Sequence, residues 1–433
     1  MEFKKLFDLA KKEGIEDIQV VINNGDSLQI EVFNQTVSSL QISRQSSLSA
    51  KGIYQGKMGY YSTEVVSESE FPLIVEKIKE NAGIITSTDE VFIYAGDEHY
   101  EKIEGQFNEE LKNTDIKEKI NLTLAIEKNI KEKENVGYSE ADYNEENNKM
   151  IMVNSKGLEL KDEGNLAEAV GVAVVRKDND SRTGFEVVMT NDFKKLDAKM
   201  LSEEAYNKGA SLIGAKPVES KQYKAILNEE ATATLVRTFS SMFSSEMVQK
   251  NLSILKGKVK EVIGSPVLTI VDDPFLKESF SSTSFDSEGV ATKYKELVKD
   301  GVLTGFIYNL KTAKKEGVKS TGNGFGSGCA PINLYIKPGD KTKEELIQGL
   351  DEGILITSLQ GSHSGANPLS GDFSLQATGF LIKDGKRTQP VALVTVSSNI
   401  LNIFKDVVAV SSELKNGYNS PAIEVKKVSV AGL

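Results

Sequence analysis

The chain opens with apolar residues at helical spacing. Phe3, Leu6, Phe7 and Ala10 fall at i, i+3, i+4 and i+7, and Gly14 stands where a C-cap belongs. Alternation follows. Leu28, Ile30 and Val32 alternate with polar residues, as a half-buried strand requires, and Asn23-Asn24-Gly25-Asp26 reads as the turn before it. Further strands are predicted near 40–42, 48–54 and 58–62. Ser67 and Glu70 have capping-box spacing and open a helix with Phe71, Ile74, Val75 and Ile78 on one face.

The same order then recurs. Ile116, Ile120 and Leu124 mark a helix near 114–133. Strands are predicted near 137–144, 149–154, 157–162, 167–176 and 183–190. A helix near 193–214 carries Leu201, Ala205 and Leu212 in register. Helix, antiparallel strands, helix thus occurs twice before residue 215, without a repeat at the level of single residues.

Lys216-Pro217-Val218 is the best boundary. Beyond it, Asn228-Glu229-Glu230 starts a helix with Ala231, Leu235, Phe239, Met242 and Phe243 as its apolar stripe. Asp300-Gly301 and Asp384-Gly385 read as hairpin turns, and Thr342 with Glu345 as a capping box. The expected fold class is α+β. Helix and antiparallel-meander units at 1–110 and 111–215, which together also read as one domain, precede a β-rich C-terminal domain at 216–433 with a few helices.

Composition narrows the function. Lys and Arg total 52 against 63 Asp and Glu, a formal charge of −11. That sign opposes binding that rests on phosphate neutralisation, so neither nucleic acid nor an anionic membrane is expected as partner. No run approaches the roughly 18 apolar residues of a membrane span. The N-terminus lacks a signal-peptide apolar region, and the expected location is cytoplasmic. One cysteine excludes an internal disulfide framework.

Two histidines and one cysteine cannot supply a Cys₄ or Cys₂His₂ zinc site, and His99 and His363 are too far apart for any helical His pair. Asp272-Asp273 is the densest acidic pair after a strand; it reads as an exposed turn, with a carboxylate-held Mg²⁺ or Ca²⁺ as the alternative. Gly361-Ser362-His363-Ser364-Gly365 invites a hydrolase reading, but its central residue is His rather than Ser. A Gly/Ser loop is the plainer reading. Cys329 is expected to be a small packed residue.

The stretch Thr321-Gly322-Asn323-Gly324-Phe325-Gly326-Ser327-Gly328 has no Walker ending and leads into a strand rather than a helix. It reads as a loop that another backbone approaches closely: a bound peptide, a partner chain or an internal crossing segment. The loop Asn367 to Ser374 is the other concentrated polar stretch, and it reads as turn chemistry or as a groove lining.

Several segments form an ordered set. They are SPVLTIVDD at 265–273, SFDSEGV at 284–290, LVKDGVL at 297–303, GVKSTGN at 317–323, SGDFS at 370–374, and SNIL at 398–401 leading to VVAV at 407–410. This set resembles the TldD/PmbA family, described as modulators of DNA gyrase and grouped with metallopeptidases. The N-terminal part agrees more loosely, through 48–54 and Gly59-Tyr60-Tyr61-Ser62.

The resemblance implies two branches. TldD-like chains carry an H-E-x-x-x-H zinc motif on a helix, and PmbA or TldE chains lack it. The corresponding helix here opens at Asn228-Glu229-Glu230 and has no imidazole, which implies the PmbA/TldE branch. No catalytic residue carries over.

The expectation is a metal-free subunit that pairs with a zinc-bearing TldD-like chain, or with itself, to trim unfolded peptides. No cofactor is expected in this chain. Candidate groove or interface residues are Asn323, Gly324, Asn333, His363, Asn367, Asp372, Phe373 and Ser374. The alternatives are a hydrolase acting alone through Ser364, Cys329 or a carboxylate-bound metal, and a homodimeric protein-binding modulator.

Overall fold

The structure, a computed structural model, describes residues 1–433 except Thr88 and Ser327. Helix α1 (Phe3–Lys12) buries Leu6 and Ala10. Strands β1 (Ile15–Phe33), β2 (Thr36–Tyr54) and β3 (Lys57–Thr63) make a meander, and α2 (Phe71–Gly83) lies back across it. Ser67 accepts from Ser69 N in a short 3-10 turn, so the expected capping box does not form and the helix begins at Phe71-Pro72 instead.

The second unit follows the same plan. After the short α3 (Glu109–Asn113) come α4 (Ile116–Lys131), β4 (Val136–Asn154), β5 (Glu159–Lys177), β6 (Asp180–Thr190) and α5 (Ala198–Ala210). Asp115 caps α4 and Asp197 caps α5 through their side-chain oxygens.

Both units share one antiparallel sheet of order β3-β2-β1-β4-β5-β6. The β1–β4 seam runs from Gln19 opposite Asn154 to Phe33 opposite Glu140, with Asp26 opposite Asn147 at its centre. Strand order on either side of the seam is the same counted outward, so the units are related by a pseudo-twofold axis near Asp26 and Asn147.

This symmetry corrects two sequence expectations. Asn23-Asn24-Gly25-Asp26 is not a turn: it lies inside a 19-residue strand and pairs with both β2 and β4. The strands predicted at 137–144 and 149–154 are one strand, and those at 157–162 and 167–176 are one strand from Glu159. The cause is the helix layer. Helices α1 and α2 cover Ile18, Val20, Ile22 and Leu48 at one end, and α4 and α5 cover Ile30, Val32, Ala141 and Tyr143 at the other. Between the helix pairs the strands face water, so their middles are polar and read as breaks.

One correspondence reaches single residues. A Cβ on Gly59 of β3 would lie 1.9 Å from Ile78 O on α2, and one on Gly184 of β6 would lie 2.2 Å from Ala205 O on α5. Each closing helix lies on its outer strand because that strand lacks a side chain at the crossing.

Residues 89–108 contain no helix or strand and run across the helix-free face as a strap. Ile93 packs with Ile53 and Met58. Tyr100 OH donates to Gly289 O at 2.7 Å, and Ala291 N donates to Asp97 Oδ2 at 2.8 Å.

The C-terminal part begins with β7 (Lys221–Leu227), α6 (Glu229–Thr238) and α7 (Ser245–Gln249). A small sheet of order β10-β9-β8-β13 is built from β8 (Ile270–Asp272), β9 (Lys295–Lys299), β10 (Val302–Leu303) and β13 (Leu334–Ile336). Between them lie α8 (Leu310–Glu316) and the hairpin β11 (Gly324–Phe325) and β12 (Gly328–Cys329).

The remaining elements are α9 (Lys343–Gln348), β14 (Glu352–Gln360), α10 (Ser362–Gly365), β15 (Asp372–Lys383), β16 (Lys386–Asn399), α11 (Ile400–Asp406), β17 (Val407–Val410) and β18 (Ile423–Ala431). They form a second sheet of order β16-β15-β14-β7-β18-β17, and a further β16–β18 pairing closes five strands into a barrel. Phe239, Phe243, Ile356 and Val396 are among its core residues. The fold is mixed α+β and rich in strand, and both Asp-Gly turns carry positive φ at both residues, as type I′ hairpins require.

Candidate functional site

Gly322 has φ of +70°, and a Cβ there would meet Ala291 O at 2.5 Å. The backbone that approaches the glycine-rich stretch is therefore the chain's own 291–292 segment. Ser327 of that stretch lies outside the described residues.

Asp272, at the end of β8, organises this region. It is fully buried, which corrects the expectation of an exposed turn. Its Oδ1 accepts from Ile332 N at 2.7 Å and Asn333 N at 3.0 Å. Its Oδ2 accepts from Asn323 Nδ2 at 2.7 Å and lies 3.2 Å from Lys295 Nζ. Asn323 also donates to Ala330 O, and Asn333 bonds to Asp273 O, Ser282 and Ser279.

A second carboxylate continues the network. Asp286 Oδ2 accepts from Gly324 N at 2.7 Å, and its Oδ1 accepts from Glu288 N and Val290 N. Burial pushes the Asp286 carboxyl up to about 7 despite those three amide donors. Burial likewise raises Glu288 and lowers both Lys295 and Lys51, the latter facing Glu288 from β2. The donors and acceptors satisfy one another, so the network acts as a rigid brace for the hairpin against the N-terminal sheet.

Asn323, Gly324 and Asn333 thus come together, with buried side chains at both asparagines. The other candidates lie elsewhere, at the end of the barrel. His363 is exposed on α10. Asn367 Oδ1 accepts from Leu369 N and Ser370 N as a turn. Asp372 accepts from Asn399 Nδ2 at 2.9 Å, which holds its carboxyl below the usual range, with Ser370 adding to the effect. Ser374 Oγ accepts from Ser397 Oγ. Phe373 is core, 6.1 Å from Phe239 between ring centroids. Among the described residues no hydrogen bond joins the two groups.

Cys329 Sγ accepts from Asn309 N at 3.1 Å and lies 3.5 Å from the hydroxyls of Ser245 and Thr312. Ser364 Oγ bonds only weakly, to Gly361 O at 3.4 Å. The H-E-x-x-x-H zinc pattern has no counterpart in this chain's sequence. Helix α6 turns Ala231 and Leu235 into the core and carries no imidazole, and His99 and His363 are both exposed and far apart in sequence. Among the described residues no three His, Cys, Asp or Glu side chains converge as a metal would need.

Sequence reasoning missed the open spaces. A cleft of about 740 Å³ lies between the helix-free sheet face, the strap and residues 275–282, with Glu146 and Asp162 on its floor. A second, of about 350 Å³, lies between α5 and the barrel beside Glu230 and Tyr418. Neither was legible, because each joins residues more than 100 positions apart. The Asp-x-Glu-Gly run at 286–289 was the available signal for Asp286, as a buried carboxylate turn.

Comparison with known proteins agrees with this architecture. Residues 109–212 match the PmbA/TldA metallopeptidase central domain, and residues 220–432 match the PmbA/TldA metallopeptidase C-terminal domain. A Methanocaldococcus jannaschii protein named as a metalloprotease is 28% identical over 96% of this chain and 94% of its own length. A crystal structure from Thermotoga maritima, named as a candidate modulator of a DNA gyrase, is 32% identical with a TM-score of 0.93 and covers 99% of each chain. TldE from Thermococcus kodakarensis, at 24% identity, shares the fold with a TM-score of 0.88 over 99% of this chain and 100% of its own. With both domain models matched in order and the whole fold shared, the chain belongs to the PmbA/TldD family.

Proposed function

We propose that this chain is the metal-free subunit of a TldD/TldE-type peptidase. It supplies part of the chamber that receives unfolded peptide, while a TldD-like chain supplies zinc and the hydrolytic step. The observation that carries this reading is the character of α6. The helix that the family resemblance matches to the metal motif here buries Ala231, Leu235 and Val236 and carries no imidazole, and its buried carboxylate, Glu229, is paired with Lys343.

The alternative of a hydrolase acting alone is less favoured. Among the described residues neither Ser364 nor Cys329 is hydrogen-bonded to a histidine, the base that most often activates such a nucleophile. The braced hairpin and the barrel-end loop suit a rigid chamber wall, because both are internally satisfied and hold their shape without a ligand.

Mixing the purified chain with a TldD-like partner tests this. A stable complex is expected by size-exclusion chromatography, with cleavage of unfolded peptide that chelation abolishes and zinc restores. Absence of a complex, together with unchanged partner activity, would overturn the reading.

A further inference from the structure

On strands β1, β4 and β5 the helix-free face of the N-terminal sheet carries a predominantly acidic charge pattern. Alternation along the strands, together with the helix-facing set Ile30, Val32, Ala141, Tyr143, Ala167 and Ala169, assigns the opposite residues to this face. They include Glu31 of β1, Glu140, Asp142 and Glu146 of β4, and Asp162 and Glu168 of β5. On this face of the same three strands the only Lys or Arg is Arg176, near the far end of β5.

The acids do not lie on a flat polar surface. Glu146 and Asp162 floor the 740 Å³ cleft, a volume within the roughly 300–1,000 Å³ of ligand sites. Apolar groups lie among them: Met150 and Leu166 on the floor, and Phe275, Leu276 and Phe280 on the wall, with Phe280 46% exposed. Beyond the cleft, Val170 and Val172 continue the apolar stripe beside Glu168, half-exposed. Asp142 Oδ1 is excluded from solvent and, among the described residues, has no hydrogen-bond donor.

We infer that this face is a docking surface for extended peptide segments that combine Lys or Arg with apolar side chains. Charge complementarity selects the occupant. The six sheet carboxylates, with Glu101, Glu104 and Glu278 on the cleft walls, outnumber the cleft's Lys102 and Lys277, so the surface repels an acidic segment and attracts a basic one, and the apolar stripe supplies burial to a segment lying along it. This inference rests on the peptide-handling reading above and names the class of peptide.

The test uses the full chain alone, without a zinc partner, so that failure of the two-chain reading is distinguishable. Fluorescence anisotropy compares a labelled peptide of alternating Lys and Leu with its Glu and Leu counterpart. The basic peptide is expected to bind at least about tenfold more tightly, with affinity falling as salt rises. The triple substitution Glu140→Gln, Asp142→Asn and Glu168→Gln is expected to remove most of that preference while circular dichroism and melting temperature show an intact fold. Equal binding of the two peptides, or a preference that the triple variant retains, would overturn the inference. So would binding of the basic peptide that salt does not weaken.

Discussion

Lys295 Nζ and Asp272 Oδ2 lie 3.2 Å apart in the C-terminal part of the chain, both shielded from water. Truncating the carboxylate leaves a buried ammonium and three donors, from Ile332, Asn333 and Asn323, without their acceptor. Asp272→Ala is therefore expected to cost about 3–5 kcal/mol, read from urea unfolding. A loss below about 1 kcal/mol would mean that the glycine hairpin does not depend on this brace.

A second buried pair tests the N-terminal sheet. Lys119 Nζ lies 2.6 Å from Glu145 Oε2, which also accepts from Tyr143 OH at 2.6 Å. Lys119→Met strands the carboxylate and is expected to cost about 3–5 kcal/mol, whereas adding Glu145→Leu should recover a large part of it. Chemical denaturation of the single and double variants checks the non-additivity; purely additive losses would contradict the pairing.

The crossing glycines make a paired prediction. Gly59→Ala and Gly184→Ala place a methyl group against helix backbone that has no rotamer with which to yield. Each is expected to lose about 1–3 kcal/mol as its helix lifts from the sheet. Gly83→Ala is the control: nothing lies within 4 Å of its added Cβ, and the change is expected to be neutral or stabilising by up to about 1 kcal/mol. Thermal melts of all three give the comparison.

Asp142 predicts a pH dependence. Burial, then repulsion by Glu140, Glu31 and Glu168, pushes its carboxyl up to about 6, against about 3.9 in an unfolded chain. Between those values the folded state holds the proton more tightly, so stability from this group falls as pH rises from about 4 to about 6. Asp142→Asn should raise the melting temperature at pH 8 by the equivalent of about 1 kcal/mol, a figure reduced for solvent screening, and leave it unchanged near pH 4. Equal effects at both pH values would show that charge is not the cause.

Local chemistry made the C-terminal elements legible. Thr342 and Glu345 form their reciprocal box because both partners lie within four consecutive residues. Asp384-Gly385 reads correctly for the same reason. The polar middle of β1 misleads because its character is set by where distant helices stop, and no window around Asn23 contains that information. Asp272 misleads in the opposite sense. Its sequence neighbours suggest an exposed turn, while its partners Lys295, Asn323 and Asn333 arrive from later segments. The candidate site was legible where glycine implied a close backbone approach. It was illegible where strands from separate units set carboxylates side by side, as Asp142 and Glu168 are.

The β1–β4 seam has a consequence for synthesis. During translation β1 leaves the ribosome with β2 as its neighbour on one side, and its other edge stays bare until residues 136–154 follow. At about 5–20 residues per second that interval is on the order of ten seconds. A 19-residue unpaired edge is a template for stray pairing, so nascent chains stalled between β3 and β4 are expected to present it to one another.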